Sequence, residues 1–346
     1  MKIIRRLLSL AMVALISAGC ASSATRARGS EEVLRLGIFP NLTHAPGYVA
    51  QGSGILDEAL GDTKAEVTVF NSGTDAGNAL LAGSLDATYI GPGPAASLFL
   101  RSEGKVAVIS GAVSGGAALV VRPESGISKP EDLRDKKIAV PGIGNTQDVA
   151  LRAWLHEQGL EAKDAGGEVS VVPVDNPELP QLFRAGQVDG AWEPEPWPSL
   201  LVHENLAEVL VDEASLWPDG QFVTTQLLVS TIYLEAHPDV VRSLVQANVE
   251  ALELIQDDPE KASSIARSEL EEAGAPSLPE PAIRSAWEKL TFSWDPLPAT
   301  LQKGAADAFD LGYLEEKPTN ILDIYRLDLL NEVLVERGHP PVEVTQ

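Results

Sequence analysis

From Val33 onward, short runs of β-branched and other apolar residues alternate with longer stretches whose apolar positions recur every three or four residues. The two periods mark strands and helices respectively. Strands are predicted at 33–39, 66–71, 87–90, 106–113 and 118–122, with helices starting near Pro46, Asp75 and Gly93. A second set follows, with strands at 137–140, 169–174, 190–192 and 208–211 and helices at 146–158 and 177–185. The helix from Thr146 carries its own punctuation: Asn145 or Thr146 can cap its amino end, and Gly159 ends it. After one more strand at 224–232 the pattern turns helical, at 238–255, 259–271, 281–290, 299–311 and 321–336. These helices open at or just after a Pro or Asn, as helix starts do. Such alternation predicts α/β architecture with a mostly parallel sheet and ligands at the carboxyl ends of its strands.

The alternation contains an echo. Residues 80–89 and 183–192 align at a constant offset and share an Ala-Gly pair, an Asp and an aromatic: Ala82, Gly83, Asp86 and Tyr89 against Ala185, Gly186, Asp189 and Trp192. Each copy reads as a helix end, a tight Gly turn and a buried strand, followed by a sharp turn at Gly91-Pro92-Gly93-Pro94 or Glu193-Pro194-Glu195-Pro196. We read them as the matching rims of two facing lobes.

Composition changes the picture at the amino end. Lys2, Arg5 and Arg6 precede an apolar run at 7–16, and the small residues Ser17, Ala18 and Gly19 lead into Cys20, the only cysteine. This pattern predicts a bacterial lipoprotein signal peptide at 1–19, lipidation of Cys20 and a tether at 20–32. Ten apolar residues fall short of the roughly 20 that a membrane-spanning helix needs. Removing residues 1–19 takes away three positive charges, so the net charge of the mature chain is −27 instead of −24. That charge repels phosphate backbones, and no nucleic-acid partner is expected. The expected location is extracytoplasmic, on a lipid anchor, where solute capture for an importer is a common task.

Candidate chemistry is sparse. Gly91-Pro92-Gly93-Pro94-Ala95-Ala96 resembles a dinucleotide fingerprint only superficially, because two prolines remove N–H groups that a pyrophosphate needs. What remains is a tight turn that a ligand can approach closely. Gly142-Ile143-Gly144-Asn145-Thr146-Gln147 and Asn71-Ser72-Gly73-Thr74 both join a strand to a helix, presenting N–H groups, hydroxyls and amides at a positive helix end. Such residues also serve as ordinary caps, and both readings stand. His44 follows the first strand, and Trp192-Glu193-Pro194-Glu195-Pro196-Trp197 offers flat apolar faces beside carboxylates. No G-x-S-x-G, H-E-x-x-H or G-x-x-x-x-G-K-[ST] signature occurs, and five scattered histidines show no metal spacing. Neither an enzyme, nor a cofactor, nor a metal is expected.

Thr43-His44-Ala45-Pro46, the two Ala-Gly-x-x-Asp turns, Gly91-x-Gly93-Pro94, Lys129-Pro130-Glu131-Asp132-Leu133, Gly144-Asn145-Thr146-Gln147 and Trp192-Glu193-Pro194 occur in an order that resembles a known family. It is the substrate-binding proteins of ABC importers for aliphatic sulfonates, taurine and nitrate, related to thiamine-precursor pyrimidine-binding proteins. The resemblance implies a periplasmic-binding-protein-like α/β fold of two lobes joined by two crossover segments. Lobe one would be residues 33–122 and 226–346 and lobe two 123–225, with crossovers near Val121-Arg122 and Thr224-Thr225-Gln226. It further implies ligand contacts at Thr43, His44, Ser72, Gly73, Gly91, Pro92, Gly115, Asn145, Thr146, Trp192 and Glu193. The implied protein is a monomer that captures a small organic anion or zwitterion and delivers it to a membrane permease. None of these positions is Lys or Arg, which favours an acceptor-only group such as a sulfonate held by neutral donors. Glu193 would pair with an amine, which makes taurine the leading candidate, and Trp192 would cover an organic body too large to be nitrate. Nitrate, aromatic acids and pyrimidines are the alternatives within the family, and a pyrimidine-synthesis-like enzyme would need His44.

Overall fold

The computed structural model describes residues 32–344. The signal peptide, lipidation at Cys20 and the tether up to residue 31 lie outside the described residues. Among the described residues eleven strands form two mixed sheets. They are β1 (Val33–Ile38), β2 (Lys64–Val69), β3 (Ala87–Ile90), β4 (Val106–Gly115), β5 (Ala117–Val121), β6 (Lys137–Val140), β7 (Ser170–Pro173), β8 (Gly190–Pro194), β9 (Glu208–Asp212), β10 (Val223–Ser230) and β11 (Leu290–Phe292). The first sheet runs β11-β4-β10-β3-β1-β2 and the second β7-β6-β8-β5-β9. Both belong to a single contact-dense unit that begins at Glu32.

The sheets repeat one plan. In each, a central strand (β1 or β6) pairs in parallel with an edge strand (β2 or β7) and with the strand of the repeat (β3 or β8). The next neighbour, β10 or β5, is antiparallel. The shared Asp of the echo explains why those residues recur. Asp86 accepts the Arg35 N–H at 2.8 Å and donates its own N–H to Arg35 O, while Asp189 does the same with Lys137, its carboxylate accepting at 2.9 Å. Each Asp thus pins the start of the neighbouring parallel strand. The preceding Gly83 and Gly186 take positive φ (70° and 63°), which a tight helix-to-strand turn requires.

The expectation of mostly parallel sheets does not hold, because β10 and β5 each arrive from the other sheet and therefore run the opposite way. β5 pairs with β8 and β9, so the change of sheet falls at Gly115-Gly116, both at positive φ, ahead of the crossover expected near Val121-Arg122. The return falls ahead of β10, close to the second expected crossover. The predicted strand at 224–232 stops at Ser230, where helix Thr231–Ala236 begins. The predicted helix at 321–336 is broken: a 3-10 turn at Ile321–Ile324 precedes helix Asp328–Glu336 because Tyr325 bridges β4 at Val108.

Central strands are apolar on both faces, as sheets covered by helices on two sides demand; all ten residues of β4 are buried. Alternation in β5 separates two cores: Ala118 and Val120 join the large one, while Leu119 and Val121 join a smaller one under the second sheet. Helix Pro238–Asp257 shows the amphipathic logic, burying Val241, Leu244, Val245, Leu252 and Ile255 along one stripe. Among the described residues no helix is long and apolar enough to cross a membrane.

Candidate functional site

Loops at the carboxyl ends of β1, β2 and β3 meet loops at the ends of β6 and β8, and a cleft of about 40 Å³ remains between them. Thr43, His44, Gly73, Gly91, Asn145 and Thr146, all expected from the sequence, line it. The approach is as close as backbone permits. A Cβ on Gly91 would stand 2.4 Å from Thr146 Oγ1, and one on Gly73 would stand 2.4 Å from Pro94 and 3.2 Å from Asn145 Oδ1. Gly93 N–H donates to Thr146 Oγ1 at 3.3 Å, tying the first sheet's turn to the second sheet's helix.

Sequence reasoning missed several lining residues. Asn41 is buried, and its Oδ1 accepts from Trp197 Nε1 at 2.8 Å with the Asn176 amide 2.8 Å away. Pro194 and Thr224 also line the cleft, beside Asn71 and Gln147, which the two strand-to-helix junctions had already offered. Most of these follow directly on a strand's carboxyl end or open the helix after it, which is the signal that would have found them.

Five expected contacts lie elsewhere. Trp192 is paired across the sheet with Leu119 and so faces the smaller core, 5.8 Å from Trp154, its Nε1 donating to Glu213 Oε2 at 2.6 Å. It offers no face to a ligand. Glu193 pairs with Ala118 and takes the opposite face, fully buried behind the cleft wall. Pro92 lines a separate small cavity with Val149, Trp217 and Phe222. Gly115 belongs to the change of sheet, its carbonyl accepting from Thr224 Oγ1. Ser72 is a helix cap, accepting the Asp75 N–H at 3.2 Å.

The electrostatics of the cleft are those of neutral dipoles. Among the described residues no Lys, Arg, Asp or Glu lines it. Burial pushes the His44 imidazole down to about 3, so the ring is uncharged at neutral pH. Its Nδ1 and Asn145 Oδ1 find no partner among the described residues. The amino ends of helices Gly73–Leu81, Pro92–Arg101 and Thr146–Glu157 meet here; the first and third present N–H groups that favour a negative guest, while the second, with prolines at 92 and 94 and the Gly93 N–H given to Thr146, adds only its dipole. Among the described residues no His, Cys, Asp or Glu cluster could hold a metal.

Comparison with known proteins places this geometry. The model of the NMT1-like family matches residues 27–268. The chain is similar to the taurine-binding periplasmic protein of Escherichia coli (strain K12), with 30% identity over 210 residues, or 60% of this chain and 62% of that protein. It thus spans less than two thirds of that relative's length. Among solved structures it resembles the alkanesulfonate-binding protein SsuA from Xanthomonas axonopodis pv. citri bound to MOPS, with TM-score 0.70 and 21% identity over 85% of this chain and 98% of that one. It also resembles the periplasmic nitrate-binding protein NrtA from Synechocystis PCC 6803, with TM-score 0.72 and 17% identity over 88% of this chain and 89% of that one. These likenesses fix the fold as that of periplasmic binding proteins.

Proposed function

The chain belongs to the NMT1-like family, and from that premise we propose that it is an extracytoplasmic solute-binding protein that carries a small sulfonate, taurine foremost, to an ABC-type permease. The named relatives bind solutes, and the proposed role is likewise capture without turnover. One observation carries the ligand class: helix ends, hydroxyls and amides surround the cleft with no cation in its lining. A sulfonate stays fully ionised and only accepts hydrogen bonds, so neutral donors satisfy it without a counter-charge. The unpartnered Asn145 Oδ1 and His44 Nδ1 leave acceptors for the ammonium end of a zwitterion.

Nitrate is the second reading, favoured by size. About 40 Å³ equals roughly three water positions at about 10–15 Å³ each, and Trp192, which would have argued for an organic body, faces away. Calorimetric titration decides between them, using protein unfolded and refolded to strip bound solute, with taurine, an alkanesulfonate and nitrate as titrants. Taurine is expected to bind with a micromolar or tighter Kd, about −8 kcal/mol. Nitrate binding without taurine binding selects the second reading, and silence from all three overturns both.

A further inference from the structure

Asp148, in the first turn of helix Thr146–Glu157, is fully buried. Its Oδ2 accepts from the Gly144 N–H at 2.7 Å and from the Tyr313 hydroxyl at 2.6 Å; its Oδ1 accepts from Arg152 Nε at 2.7 Å. Arg152 is held in turn by Asp164 through two hydrogen bonds of 2.6 and 2.9 Å. Four of these five residues lie on the second-sheet segment that carries Asn145 and Thr146. Tyr313 comes from elsewhere.

Tyr313 follows helix Pro298–Asp310, which packs on helix Pro92–Arg101 of the first sheet and also reaches helix Thr146–Glu157 of the second. The chain then rejoins that sheet, where Arg326 N–H donates to Val108 O at 2.9 Å. A glycine stop fixes the direction of Tyr313: Gly312 takes φ +78°, its N–H donates to Phe309 O, and the Tyr313 N–H donates to Ala308 O at 2.8 Å. The ring lies over the ligand loop, 3.6 Å from where a Cβ on Gly144 would stand, with the Arg152 guanidinium 5.8 Å from its centroid. Another contact across the cleft, Asn71 to Asp175 at 3.0 Å, is exposed and competes with water.

We propose that Tyr313 is a positioning residue that latches the cleft shut. Its hydroxyl completes the shell of Asp148 only when the two sheets' loops meet, and Asp148 holds the Gly144 amide and with it the loop that presents Asn145 and Thr146. Closure and loop geometry are thereby one event, and the latch sets how long a solute stays. The proposal rests on the reading of Asn145 and Thr146 as ligand-facing residues.

The test is Tyr313→Phe in the otherwise intact protein, with a dye pair reporting the distance across the cleft and stopped flow reporting taurine release. Without solute, the ratio of closed to open molecules is expected to fall about tenfold. Taurine release should quicken by a similar factor with association little changed. In the background of Asp148→Asn, Tyr313→Phe should add little further. Closure and release matching the unsubstituted protein overturn the latch, as does a lowered thermal midpoint with closure and release unmoved. If the unsubstituted protein takes no taurine, the substrate assignment fails, and the solute-free closed fraction still decides the latch.

Discussion

Residues 192–197, Trp-Glu-Pro-Glu-Pro-Trp, place one Trp and one Glu in each half, yet the two halves do opposite work. Trp192 and Glu193 lie within β8 and serve the second sheet: the indole enters its smaller core, and the carboxyl is enclosed with its Oε1 unpartnered and its Oε2 3.1 Å from the Asn176 amide. Glu195 and Trp197 lie past the strand end and reach the first sheet. Glu195 Oε1 accepts from Lys289 Nζ and Ser199 Oγ, both at 2.8 Å, its backbone carbonyl accepts the Leu42 N–H at 2.8 Å, and Trp197 holds Asn41 at the cleft wall. Each half holds the same three residue types; what differs is their position relative to the end of the strand. That position decides whether a Glu meets a cation or only neutral groups.

Removing the paired acid should cost most. Glu195→Ala leaves the Lys289 ammonium and the Ser199 donors without their acceptor and is expected to destabilise by about 3–4 kcal/mol in urea unfolding. This is the lower part of the range for breaking a buried pair, since the Lys289 side chain keeps 35% of its surface in water. If the loss is under 1 kcal/mol, the two halves do not differ in the way described.

The partner of Trp192 gives an intermediate effect, visible through pH. Burial pushes the Glu213 carboxyl from 4.5 up to about 7. An acid with a raised folded pKa stabilises fully below its unfolded value, and that contribution is lost as pH rises through the folded one. Stability should therefore fall between pH 4.5 and 7, by on the order of 2–3 kcal/mol from this group. Glu213→Gln should flatten that slope, and an unchanged slope would place the titration elsewhere.

The smallest effect is expected at Glu193. Burial, with no cation beside it, raises its pKa well above the usual range and so favours the neutral acid. Glu193→Gln swaps one neutral group for an isostere and should change stability by less than about 1 kcal/mol. Because Glu193 does not line the cleft, taurine affinity should also hold within about threefold. A large loss of affinity would restore Glu193 to the role of amine partner that its sequence position first suggested.

Much of this was legible in the chain. The offset between residues 80–89 and 183–192 identified equivalent strands, since the Asp in each performs a local job that any such turn needs. The glycines at 73 and 91, the Asn145 amide and the Thr146 hydroxyl were found for the same reason: strand end, tight turn and helix start are adjacent in sequence. Strand pairing was less legible. Whether β5 completes the first sheet or opens the second depends on partners nearly 75 residues away at β8, and two successive glycines gave the only local hint. The side on which Trp192 falls could not be read either, because an aromatic in a strand buried on both faces suits each face equally. Asn41 escaped notice since its partners, Asn176 and Trp197, come from the other sheet.

The contacts at Gly73 and Gly91 have a consequence for how such a molecule changes its diet. Where two surfaces meet with no side chain between them, the gap is tuned in single methyl groups. A Ser or Ala at position 91 would act as a doorstop, holding the jaws apart by about the thickness of the atom it adds. The route from a receptor for the smallest oxoanions to one for bulkier sulfonates can therefore run through the glycines where the two sheets' loops touch, with every polar side chain of the cleft left as it is.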